Sequence, residues 1–137
     1  MNNNNDIALS NIAKLLSLKF LERKGNIDKF SLIFPEESKN TYGGVQGGMI
    51  SSAIDEATFI SILLDQSSIE RVSSTNHHVL FHKPVELGKN FIDVKFMKIG
   101  KRVINIEGNL YRNDGLLAAT LIHSASIIKK TEDNYEI

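Results

Sequence analysis

No cysteine occurs among the 137 residues. Disulfides and a cysteine nucleophile are therefore excluded, and the composition fits a reducing compartment. Net charge is also missing, because sixteen lysines and arginines balance sixteen aspartates and glutamates. Such a chain has no overall field to draw in nucleic acid or an anionic membrane, and neither is expected as a partner. The start, Met1-Asn2-Asn3-Asn4-Asn5-Asp6, lacks the basic segment and apolar run of a signal peptide, so a cytoplasmic location is the expectation. No repeat of solenoid period is present. Gly-x-Ser-x-Gly is absent, so Ser51 and Ser52 are not on a nucleophile elbow. Gly43 to Gly48 does not read Gly-x-Gly-x-x-Gly, and no Walker lysine follows it. His77, His78, His82 and His123 show no recognised ligand spacing along the chain. All four are read as packing or rim histidines, and no metal is expected.

What is present begins with enough apolar content, 42%, for one domain with its own core. Its centre is Asn40 to Asp65. Gly43, Gly44, Gly47 and Gly48 put four glycines into six residues and let the backbone turn sharply. From Met49 to Leu64 there is no glycine or proline, and apolar residues at 49, 50, 53, 54, 57, 60 and 64 follow a helical period. Phe59, Ile62 and Leu63 extend the apolar surface so far round that other structure should nearly wrap the helix. Backbone N–H groups at its start, with the helix dipole behind them, favour negative charge in front of Gly47 and Gly48. Asp55 lies two turns in, where a carboxylate needs a partner or a cleft. Oxyanion donors and a carboxylate on one helix suit acyl transfer. The plainer alternative is a glycine turn made for close packing and an aspartate satisfied by Ser51, Ser52 and Thr58.

The remaining elements follow from period and punctuation. Residues 1–5 read as a disordered lead, 6–128 as a single domain and 129–137 as a polar tail. Asp6 caps an expected helix with a stripe of Ile7, Leu9, Ile12, Leu15, Leu16 and Phe20, ending near Gly25. Strands are expected over Ile27–Phe34, Arg71–His82, Asn90–Ile99 and Arg102–Arg112, with Asn113-Asp114-Gly115 as a hairpin turn before Leu116–Ile128. Small residues in the last strand would let a helix lie close. The architecture is α+β: a five- to six-stranded antiparallel sheet wrapped around a long central helix, with an extra N-terminal helix.

Asn40, Gln46-Gly47-Gly48 and Asp55 resemble the Asn…His-Gly-Gly…Asp signature of hotdog-fold acyl-CoA thioesterases of the phenylacetate-degradation (PaaI-like) type. Ser74 to Gly88, with Lys83-Pro84, resembles that family's second strand and Pro…Gly turn. Lys98 to Arg102 resembles its Gly-Lys/Arg turn. The resemblance spans about Ile27 to Ile128, and it departs at Gln46, where the family usually has His.

The resemblance implies a hotdog domain that hydrolyses an acyl-CoA thioester, with coenzyme A as part of the substrate and no separate cofactor. Gly47 N–H would hold the thioester carbonyl. The Asn40 amide would polarise it further or position water. Asp55 would act as general base or as nucleophile, and Ser74 would orient the water. Gln46 and Gly48 would flank the substrate. Gly100, Lys101 and Arg102 would meet the coenzyme A phosphates, with Lys83 a further candidate. Glu56 is the rival carboxylate, turned about 100° away by one helical residue. The family works as homodimers with shared sites, commonly dimers of dimers, and Arg71–His82 alternates enough to be an edge. A non-catalytic acyl-CoA binder, favoured by the Gln46 departure, is the alternative. A hotdog dehydratase, which needs His beside an acid, is weaker still.

Overall fold

The computed structural model describes residues 7–66, 68–130 and 135–136. The lead 1–5 and the proposed cap Asp6 lie outside the described residues. The element order is α1 (Asn11–Leu15), β1 (Lys19–Lys24), β2 (Ile27–Phe34), a 3₁₀ turn (Glu36–Ser38), α2 (Gly47–Asp65), β3 (Ile69–Phe81), β4 (Gly88–Ile99), β5 (Val103–Tyr111), β6 (Leu117–Lys130) and β7 (Tyr135–Glu136). All strand pairings are antiparallel, in the order β1-β2-β4-β5-β6-β3, with β7 paired to β6. The segment expected as a polar tail thus contributes the end of β6 and the two residues of β7.

The N-terminal region corrects the single helix expected from Asp6 to near Gly25. Ser10 caps α1 by accepting from Ala13 N–H at 3.0 Å, and the helix stops after one turn. Ser17 takes a left-handed φ of 49°, which an α-helix cannot absorb. Gly25 has φ 64°, and Lys24 pairs with Ile27. Gly25-Asn26 is therefore a two-residue hairpin turn, and Lys19–Lys24 is a strand. Of the expected stripe, Leu9, Ile12 and Leu15 stay exposed and Leu16 is buried, and the burial is shared with Ala13 and Leu18, which lie outside that stripe.

Strand alternation supplies the floor on which α2 lies. Phe30, Leu32, Phe34, Ile92, Val94, Ile104, Ile106, Leu110, Leu121, Ala125 and Ile127 are all buried. Every residue of α2 from Met49 to Leu64 is buried or half-buried. The helix is long and apolar enough to cross a membrane by length and composition alone, yet its apolar face is spent against the sheet. It comes close to the sheet at Gly108 of β5, where an added Cβ would stand 2.2 Å from Ile54 Cγ2 and 3.3 Å from Thr58 Cγ2. At the far end Arg23 grips the buried Asp28 carboxylate through Nε and Nη2 at 2.6 and 3.0 Å. The same guanidinium reaches Asp65, the last residue of α2, at 3.2 Å.

Gly108→Ala is expected to lower stability by about 1–3 kcal/mol, the range for overpacking, in urea denaturation. Ile54→Ala in the same chain should make that substitution markedly cheaper, because it removes the atom the new methyl group meets.

Candidate active site

The turn before α2 is tied down by Asn40. Its Oδ1 accepts from the N–H groups of Tyr42 and Gly44 at 2.8 and 3.1 Å, and its own N–H donates to Gly44 O at 2.7 Å. Its Nδ2 keeps one long contact, 3.4 Å, to Val45 O. Val45 N–H donates to Val85 O and Gln46 N–H to Ser38 O, both at 2.8 Å. Gln46 is the N-cap of α2, with Oε1 accepting from Met49 N–H at 2.9 Å.

Of the two glycines after Gln46, Gly48 is the crowded one, under the Gln46 side chain, whereas Gly47 has room for ordinary contact with Phe81. A Cβ on Gly48 would lie 2.9 Å from Gln46 Oε1, and one on Gly47 3.4 Å from Phe81 Cζ. The N–H groups of Gly47 and Gly48 donate to nothing among the described residues. They stand at the first turn of a 19-residue helix, where unsatisfied donors and the dipole act together. A cavity of about 310 Å³ opens there, lined by Asn40, Gly47, Ile50, Phe81 and Lys83 among others.

Two turns along, Asp55 meets the sheet at the β3–β6 pair. Its Oδ1 accepts from His77 Nε2 at 3.1 Å and lies 3.6 Å from His123 Nδ1. His123, buried at 1% exposure, also contacts Thr58 Oγ1 through Nδ1 and Ser74 Oγ through Nε2, each at 2.8 Å. Thr58 uses its hydrogen on the Asp55 carbonyl oxygen at 2.8 Å. The network therefore assigns the tautomer: Nδ1–H donates to Thr58, and Nε2 accepts from Ser74. Burial lowers the His123 pKa from 6.5, Asp55 opposes the shift, and His77 adds to it. Neutral His123 holds Ser74 with its oxygen lone pairs available to a donor such as water.

The site residues expected from sequence thus fall into three groups. Asn40, Gln46, Gly47, Gly48 and Lys83 gather at the start of α2, and Asp55 and Ser74 both stand beside His123. Gly100, Lys101 and Arg102 form the β4–β5 turn, where Gly100 N–H bonds Val103 O and Ile127 N–H bonds Arg102 O. That turn is at the opposite end of the sheet from Phe81 and Gly47. Glu56 is separated from Asp55 by its partner, Ser10 Oγ of the α1 cap. Two of the four histidines read as packing or rim residues, buried His123 and exposed His77, are direct cross-strand partners that converge on Asp55. The available signal was the buried alternation Leu121, His123, Ala125, Ile127, which points an imidazole at the helix.

No family model matches the sequence, and no curated protein matches it. Solved structures do. A phenylacetic acid degradation-related protein from Ralstonia eutropha JMP134, described as a thioesterase, superposes with a TM-score of 0.82 at 20% identity, covering 88% of this chain and 92% of that one. A thioesterase from Haemophilus influenzae gives 0.77 at 12% identity over 89% and 85%. A Bacillus halodurans protein solved with CoA gives 0.78 at 18% identity over 89% and 81%. The likeness establishes the fold: this chain is a hotdog domain with the architecture of those thioesterases.

The lowered His123 pKa fixes the sign of one pH effect. The fold favours neutral imidazole, so its contribution is full above pH 6.5 and is lost as pH falls towards the folded-state value. Melting temperature should therefore drop as pH falls below 6.5, and His123→Gln should flatten that part of the profile.

Proposed function

We propose that the protein hydrolyses an acyl-CoA thioester to the free acid and coenzyme A. The observation that carries the reading is the unpartnered N–H of Gly47, a residue that lines a cavity at the helix start, together with a networked carboxylate on the same helix. The thioester oxygen would accept from Gly47 N–H, which stabilises the oxyanion as charge develops. Asp55 would take a proton from a water molecule whose other hydrogen Ser74 accepts. Hydroxide adds to the carbonyl carbon, the C–S bond breaks, and the thiolate leaves to be protonated. Direct attack by Asp55, with water cleaving the resulting anhydride, uses the same atoms. The CoA found with the Bacillus halodurans structure supports the substrate class, and a cytoplasmic setting belongs to the same proposal.

Helix geometry supports a shared site. Eight residues separate Gly47 from Asp55, or about 12 Å along the axis at 1.5 Å per residue. One thioester carbon and its oxygen cannot meet both in a single chain. β3 is a 13-residue edge strand with Ser73 to His78 all exposed. A two-fold pairing of two such edges would be antiparallel and would set the start of one α2 towards the partner copy's α2. It would also carry the Gly100–Arg102 turn of one copy to the cavity end of the other, within reach of coenzyme A phosphates. A homodimer, or a dimer of dimers, is therefore part of the proposal.

His77 beside Asp55 also restores the imidazole–acid pair that a hotdog dehydratase would need, and enoyl-CoA absorbance separates that reading from thiol release. A panel of short, medium, long and aryl acyl-CoA esters, read by free thiol, tests the hydrolase directly. Binding of that panel without turnover would make the protein the non-catalytic binder that Gln46 suggested. Asp55→Asn is expected to cut kcat by about two to four orders of magnitude, and Glu56→Gln to stay within several-fold.

Complementation tests the shared site. Asp55→Asn and Gly47→Val chains should each be nearly inactive alone, and mixed dimers should regain activity, because one of their two sites then has both native residues. No regain in verified mixed dimers would place each site within one chain.

A further inference from the structure

We propose that Asp55, His77 and His123 form a binding site for one divalent transition-metal ion of the zinc class. Asp55 Oδ1, His77 Nε2 and His123 Nδ1 lie within 4.8 Å of one another, with Oδ1 at 3.1 Å from the first nitrogen and 3.6 Å from the second. Ligand atoms about 2.0–2.1 Å from a tetrahedral zinc ion are about 3.3 Å apart, and the two measured separations bracket that value. Two imidazoles and one carboxylate suit zinc, cobalt or nickel better than calcium or magnesium, which prefer oxygen alone.

The surroundings fit the same ion. Asp55 and His77 are each about one-third exposed, at 34% and 33%, so an ion can enter from solvent and keep a water as its fourth ligand. His77 already stands against the Asp55 carboxylate from β3. His123 is held from behind. To free Nδ1 for a metal, its proton moves to Nε2, and Ser74 Oγ, 2.8 Å away, turns from donor to acceptor. A metal-bound histidine whose other ring N–H is fixed by an oxygen is the usual supporting arrangement. Thr58 loses only the bond it accepts and still donates to the Asp55 carbonyl oxygen. All three ligands belong to one chain, so the site does not depend on the hydrolase reading or on a second copy.

The test is direct titration of metal-free protein with Co²⁺, followed by visible absorption, then Zn²⁺ competition and calorimetry. One ion per chain is expected, with tetrahedral cobalt bands that zinc abolishes. His77→Gln should weaken zinc binding by about tenfold or more. His78→Gln, on the neighbouring strand residue, should leave it unchanged. Absence of saturable binding would overturn the proposal. So would an affinity that His77→Gln leaves untouched in a variant with the parent's circular dichroism. Both readouts are independent of thioester turnover.

Discussion

Ile54 Cγ2 occupies the space that a side chain on Gly108 would fill, 2.2 Å from where its Cβ would stand. This contact sets both the depth of α2 on the sheet and its rotation about its own axis. With Ile54 and Thr58 turned into β5, the neighbouring Asp55 is carried to the β3–β6 pair and Glu56 to the α1 cap. Two adjacent carboxylates thereby acquire different surroundings, one a pair of imidazoles and the other a serine hydroxyl on the surface. A shift of the helix by one residue would put Glu56 or Ile54 where Asp55 now stands. The glycine in β5 and the chemistry on α2 are thus one constraint seen from two sides.

Depth matters for the other end of the helix as well. The first turn of α2 must leave its donors open, yet a helix start with no partner at all is poorly held. Here the two demands fall on different N–H groups. Gln46 satisfies Met49 N–H with its side chain, and Asn40 satisfies those of Tyr42 and Gly44. Gly47 and Gly48 N–H, between those groups, donate to nothing among the described residues.

Much of this was legible in the sequence because it is local. A glycine-rich turn followed by sixteen residues without glycine or proline declares α2, and alternation declares β4, β5 and β6. The Gly25-Asn26 hairpin was just as local, but apolar residues from Ile7 to Phe20 also match a helical period, and Ser17's left-handed backbone carries no sequence mark. The histidine cluster was not legible for a different reason. His77 and His123 are 46 residues apart in the chain, and only the β3–β6 register, with its irregularity between Ser74 and Asn76, makes them neighbours. Likewise Lys101 and Arg102 are basic residues on a glycine turn in any reading, and their distance from Gly47 follows from strand direction.

The departure at Gln46 is where local and long-range constraints meet. Its side chain lies over Gly48, and its acceptor is spent on the backbone of the third helical residue. That is a capping role, which a neutral imidazole nitrogen can also fill, whereas a cationic one cannot, because it has no acceptor left. Gln46 therefore makes the cap independent of pH near neutrality without touching the Gly47 N–H beside it. Imidazole chemistry in this chain has not been lost with that position. It sits two turns further along, on β3 and β6, where buried His123 bonds Ser74 and Thr58 and exposed His77 bonds the Asp55 carboxylate. The imidazoles are thus gathered around the Asp55 carboxylate, and the start of the helix is held by backbone and amide groups.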